Sequence, residues 1–248
     1  MSTKVNQLLQ HWPAHTVATQ ALLSEHGIDR RTASKYVKSN WLERIGEGAY
    51  RRPGQTIEWF GAVQSLQTQL HIAVHPGGIS ALEIHGYAHN ITVGQRTTFV
   101  FAETGTRLPA WFNNTDWNTS IQLVTTSALS FDKQYLSNRT INDMSIDIAC
   151  LELAALEMFY QVPQQQSYEE AFHVMEALTS LRPAVVRQLL ESCTSIKTKR
   201  LFMHVSEQLK LPWVNRVNLA HVDFGEGKRT IHAGGQLFPK YQLVIDMM

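Results

Sequence analysis

The stretch TQALLSEHGIDRRTASKYVKSNWLERIGEGAYRRPG, residues 19–54, decides how the first part of this chain is read. A short helix fits TQALLSEHG, with Thr19 placed to cap it and Gly27 placed to end it in a left-handed conformation. Asp29 then precedes RRTASKYVKSN, where an acceptor is wanted by the open amides of a new helix. In that helix Ala33, Tyr36 and Val37 form an inward face, and Arg30, Arg31, Ser34, Lys35 and Lys38 lie largely outside it. Next, WLERI and AYRR read as two short strands joined at Gly46-Glu47-Gly48.

Upstream, Val5, Leu8 and Leu9 recur at helical spacing until Pro13 stops the pattern. The order is therefore helix, helix, helix, hairpin, which is that of a winged helix-turn-helix. Such a unit places its last helix in the major groove, N-terminus first. Arg30, Arg31 and Ser34 would then lie nearest the base edges, and Lys35 and Lys38 nearest phosphates. Tyr50, Arg51 and Arg52 fall on the return strand of the wing, with the two arginines aimed at phosphates. Gly46 and Gly48 keep the tip clear of the sugar–phosphate backbone. The same pattern also suits a solvated basic helix beside a small hairpin, or a winged module that docks proteins.

Charge follows this division. Residues 1–54 hold eight Lys and Arg against four Asp and Glu, a net +4. The total is +1, so the remainder stands at −3. The boundary is expected near Pro53 to Glu58, giving a reader over 1–54 and a larger mixed α+β domain over 55–248. In the second part, helices fit 56–70 and 80–85, with Ser80 and Glu83 as a capping box. ITVGQRTTFVFAET reads as a hairpin and IQLVTTSAL as a strand. CLELAALEMFYQV, YEEAFHVMEALTSL, RPAVVRQLLESC and KTKRLFMHVSEQLKL read as helices, and the glycine-rich end as a small sheet. The fold class is α+β.

Chemistry is sparse in this reading. His71 and His75, like His85 and His89, are four apart, but Pro76 and Gly86 interrupt the helices a shared metal would need. FGEGKR, residues 224–229, lacks the Gly-Lys-Ser/Thr ending of a phosphate loop. Glu152 and Glu157 are poorly aligned as a carboxylate pair, and Cys150 and Cys193 show no ligand or disulfide pattern. No catalytic set, metal or cofactor is expected. MSTKVNQLLQHWP lacks the apolar segment of a secretory signal and no stretch approaches a membrane span, so a cytoplasmic location is the expectation. Two further surfaces are candidates for partners. One is the polar-aromatic loop LPAWFNNTDWN with Trp111, Phe112 and Trp117; the other is the basic turn with Lys197, Lys199 and Arg200. The aromatic rings could equally finish the core of their own sheet.

Taken together and in order, ERIGEGAYRR, HPGGISALEIHGYAH, KTKRLFMHVSEQLKLPW and VDFGEGKRTIHAGGQLFPKYQLVI resemble the AbiEi antitoxins of bacterial type IV toxin–antitoxin systems, across nearly the whole chain. The resemblance implies an N-terminal winged helix that binds inverted repeats in double-stranded DNA at its own promoter and represses the operon. It implies a C-terminal domain that antagonises a nucleotidyltransferase-like toxin without a stable complex. Arg30, Arg31, Ser34, Lys35 and Lys38 match the recognition helix, and Tyr50, Arg51 and Arg52 the wing's return. Lys199, Arg200, Lys228 and Arg229 fall at basic positions of the C-terminal domain. With few phosphate contacts per molecule, a monomer in solution that binds repeats cooperatively is expected.

Overall fold

The computed structural model describes residues 4–87 and 97–245. Its first part contains α1 (Lys4–His11), β1 (Ala18–Thr19), α2 (Gln20–Glu25), α3 (Arg30–Lys38), β2 (Glu43–Gly46) and β3 (Ala49–Arg51). These strands form an antiparallel sheet in the order β1-β3-β2, which completes the winged helix. The expected caps are in place. Thr19 accepts from the Leu22 amide at 3.3 Å and Asp29 from the Thr32 amide at 2.7 Å. Gly27 ends α2 with φ of 69°. Leu8, Trp12, Leu23, Ile28, Ala33, Leu42 and Tyr50 close a small core of their own.

The second part continues with α4 (Trp59–Gln69), β4 (Val74–Pro76), α5 (Gly78–Ile84), β5 (Thr97–Glu103), α6 (Ala110–Asn114) and β6 (Ser120–Thr126). β5 and β6 pair in parallel across the α6 crossover, and β4 lies antiparallel on the far side of β5. Of the expected ITVGQRTTFVFAET hairpin, the return arm is β5; residues 91–96 and His89 lie outside the described residues. The capping box does not form. α5 starts at Gly78, and Ser80 sits within its first turn, where its hydroxyl accepts from the Phe99 amide at 2.9 Å.

A hairpin that the sequence reading lacks follows, β7 (Leu136–Ile141) and β8 (Met144–Ala149). Its two-residue turn is Asn142-Asp143, both at positive φ, as a primed turn requires. The final third contains α7 (Leu151–Gln161), α8 (Tyr168–Ala177), α9 (Pro183–Ser192) and α10 (Ile196–Gln208). The small sheet β9 (Arg229–Thr230), β10 (Gln236–Phe238) and β11 (Leu243–Ile245) closes the chain. α7 is buried along nearly its whole length at the centre of this core.

α7 carries two buried glutamates, each satisfied separately. Glu157 receives His75 Nε2 at 2.7 Å and the Gly78 amide at 2.9 Å, which ties the turn after β4 to the helix. Glu152 receives the amide, Nε and Nη2 of Arg182. Both are fixtures of packing, since a buried carboxylate persists only with such partners.

The winged helix is bound side-on to α4. Ser65 Oγ donates to Val17 O at 2.9 Å and accepts from Val17 N at 3.0 Å. Gln69 accepts from Thr19 N and donates to Val17 O. The outer edge of β1 is thus covered by helix side chains instead of a further strand.

Candidate nucleic-acid interface

α3 presents one exposed, basic side. Arg30, Arg31, Ser34, Lys35 and Lys38 are all exposed, Ala33 is buried, and Tyr36 and Val37 are half-buried. The sequence-predicted helix residues are therefore brought together on one face. Ser34 Oγ donates to the Arg30 carbonyl at 3.0 Å, which directs its lone pairs outward. The Asp29 carboxyl is held below its ordinary range by hydrogen bonds from the Thr32 side chain and amide. It therefore caps the helix as an anion.

At the wing Tyr50 packs inward, while Arg51 and Arg52 depart from their expected placement toward phosphates. Tyr50 is buried in the small core, with its hydroxyl 3.4 Å from Gln20 Oε1. Arg51 pairs with Glu43 on the neighbouring strand, and this contact holds the Glu43 carboxyl below its ordinary range. Arg52 turns inward. Its Nη2 donates to the Leu9 and Trp12 carbonyls, and the guanidinium lies 5.4 Å from the centre of the Trp12 ring. It closes the C-terminal end of α1, where helix carbonyls lack partners. We expect Arg52→Ala to lower stability by about 2 kcal/mol, the loss of charge-assisted hydrogen bonds. Urea unfolding measures this, and an unchanged midpoint would return Arg52 to the surface.

Gly46 has a different task from the one its place in a turn suggested. A Cβ there would lie 2.5 Å from Trp111 Cβ, so α6 sits directly over the wing. Trp111, Phe112 and Trp117 are 5%, 2% and 6% exposed and pack edge-on or tilted against one another within the core. They form no partner surface: the rings fill the space between the sheet and the wing, and Ala110, Asn113, Asn114, Asp116 and Asn118 face water.

The basic turn of the second part is also largely internal. Lys199 and Arg200 are buried. Arg200 donates to the carbonyls of Phe224, Gly225 and Gly227 at 2.6–2.8 Å. Lys197 Nζ donates to the Tyr160 and Val162 carbonyls. Of the five predicted basic residues, Lys228 and Arg229 are exposed.

Two exposed residues outside the predicted site follow α3 in sequence. Trp41 is 47% exposed directly after the helix. Arg44, on β2, is exposed and donates from Nε to the Gly46 carbonyl at 3.0 Å. In the sequence Trp41 reads as part of the WLERI strand, where alternation predicts one buried face. An Asn at the helix end followed by an apolar residue is the signal that could have revealed its position.

Among the described residues no group of three or more His, Cys, Asp or Glu is placed to hold a metal ion. Burial pushes the Cys150 thiol up to about 11, far from a reactive thiolate. No described helix is long and apolar enough to cross a membrane.

Family models cover the chain almost end to end. Residues 1–93 match the N-terminal domain of the AbiEi antitoxin transcriptional regulators, and residues 95–246 match the AbiEi antitoxin transcriptional regulators of type IV toxin–antitoxin systems. No curated protein matches. Among solved structures, the RV2827C protein from Mycobacterium tuberculosis has a similar fold, with a TM-score of 0.62 at 15% identity over 96% of this chain and 88% of that one. With a winged helix, a basic α3 and the two family models matched one after the other along its length, the chain belongs to the AbiEi family of type IV antitoxin transcriptional regulators.

Proposed function

We propose that residues 1–54 read double-stranded DNA at the protein's own promoter and repress its operon, and that residues 55–248 antagonise a nucleotidyltransferase-like toxin. The observation that carries the DNA reading is the exposed face of Arg30, Arg31, Ser34, Lys35 and Lys38 on α3, with the apolar side of that helix turned inward. Family membership supports the regulatory and antitoxin roles. The toxin is opposed without a stable complex, in the cytoplasm. The protein is a monomer that binds inverted repeats cooperatively, since a handful of cations per molecule gives modest phosphate affinity.

Arg31 supplies base contacts and Lys38 a phosphate contact. Mobility shifts across a salt series, on the upstream region of its own gene and on random duplex, test this division. Arg31→Ala should cost about 1–3 kcal/mol on the specific duplex and less on random DNA. Lys38→Ala should weaken both alike and reduce the salt slope by about 1. Equal losses for both variants on both duplexes would defeat the assignment. Weak binding to either duplex, with no difference between them, would defeat specific reading altogether.

A further inference from the structure

Helix α3 ends in a fully formed Schellman turn. The Asn40 amide donates to the Val37 carbonyl at 3.1 Å, and the Trp41 amide to the Tyr36 carbonyl at 2.8 Å. Asn40 holds φ of 56°, a conformation Asn tolerates better than most residues. This turn fixes the direction in which Trp41 leaves the helix. The apolar residue at that position commonly folds back on the last turn. Here it stays 47% exposed, while Tyr36 beneath is half-buried.

Every other tryptophan is more enclosed. Trp12, Trp111, Trp117 and Trp213 are buried and Trp59 is half-buried. The indole N–H of Trp41 has no hydrogen-bond partner among the described residues, whereas those of Trp12, Trp117 and Trp213 do. In sequence Trp41 lies between the exposed cations Lys38 and Arg44, and the nearest acid, Glu43, is paired with Arg51. An exposed flat ring with a free N–H donor, flanked in sequence by cations, suits a sugar–phosphate strand: the ring packs on deoxyribose and the N–H meets a phosphate oxygen.

Building on the proposed DNA reading, we infer that Trp41 is a DNA-backbone contact that anchors the C-terminal end of α3 beside the groove. Being uncharged, it adds affinity without adding to the salt dependence.

Acrylamide quenching of tryptophan emission, with and without duplex from the upstream region, tests this. Duplex should protect the wild-type emission, and Trp41→Phe should abolish that protection. Trp41→Ala should weaken binding about tenfold, as expected from failing to cover half an indole, by the same factor at every salt concentration. Trp41→Phe should lose part of that, since it keeps a ring without the donor. An unchanged melting temperature for both variants separates a contact from a structural role. If duplex binds while wild-type quenching stays the same and Trp41→Ala binds equally well, the inference falls and the DNA reading stands. Protection by the product of the adjacent gene, and none by duplex, makes Trp41 a protein contact and also overturns it. No duplex binding by any form overturns both.

Discussion

Arg200→Met is expected to destabilise the protein by about 3–5 kcal/mol, because three carbonyls lose charge-assisted hydrogen bonds and each unsatisfied acceptor costs about 1–3 kcal/mol. Arg200 is 2% exposed on α10, and each of its three outer nitrogens donates to a separate carbonyl of the segment Phe224–Gly227. Gly225 and Gly227, both at positive φ, let that segment curl so that its carbonyls converge on one guanidinium. Burial lowers the Arg200 pKa, yet the group remains charged at any physiological pH. Methionine matches much of its volume and supplies no donor. The loop carbonyls then lose their partners, and the small carboxy-terminal sheet loses its tether to the helical core. A chain of this size loses roughly 2–4 °C of melting temperature per kcal/mol, so calorimetry should show a fall on the order of 10 °C. Arg229→Ala, at an exposed position a few residues away, should leave the transition where it is. If both variants melt like the wild type, Arg200 is not the clamp described.

Arg200 also marks a limit of sequence reading. In KTKRLFMHVSEQLKL its charge and its place in the first turn suggest a basic surface. Long cationic side chains can equally face solvent or reach a nest of carbonyls, and only the tertiary fold decides. Arg52 fails in the same way, since its acceptors lie about forty residues earlier in the chain. The Trp111 loop fails for a related reason: its polar neighbours suggest exposure, but a short helix turns the rings inward. What was legible rested on local interactions. The Asp29 cap, the Gly27 stop and the period of Ala33, Tyr36 and Val37 together specify α3 and its basic face. The α7–α10 helices were legible because their apolar runs are long. β1 was not, because two residues carry no period. The β7–β8 hairpin was missed although its Asn142-Asp143 turn is a local signal.

The winged helix and the second part form one packed unit at Gly61, and the sign of one substitution tests it. By intrinsic propensity, Gly61→Ala in the first turn of α4 should stabilise the helix by up to about 1 kcal/mol. Packing predicts the reverse. A Cβ on Gly61 would lie 2.1 Å from the His15 carbonyl oxygen and 3.4 Å from Met144 Sδ. The first contact is with backbone in the turn leading to β1, which cannot swing aside as a side chain would. Relief requires the winged helix to lift off α4, and the hydrogen bonds of Ser65 and Gln69 to Val17 and Thr19 stretch with it. The wing is held at its other end by Trp111 over Gly46, so the module cannot pivot freely to absorb the shift. We therefore expect Gly61→Ala to destabilise by about 3 kcal/mol, at the upper end for overpacking, and to lower the melting temperature by roughly 6–12 °C. Protease should also cut more readily near Pro53 to Glu58, where the two parts join. A stabilised variant would mean that propensity outweighs the contact and that the winged helix sits loosely on α4. Destabilisation without added cleavage would place the strain in the Met144 side of the core and leave the junction intact.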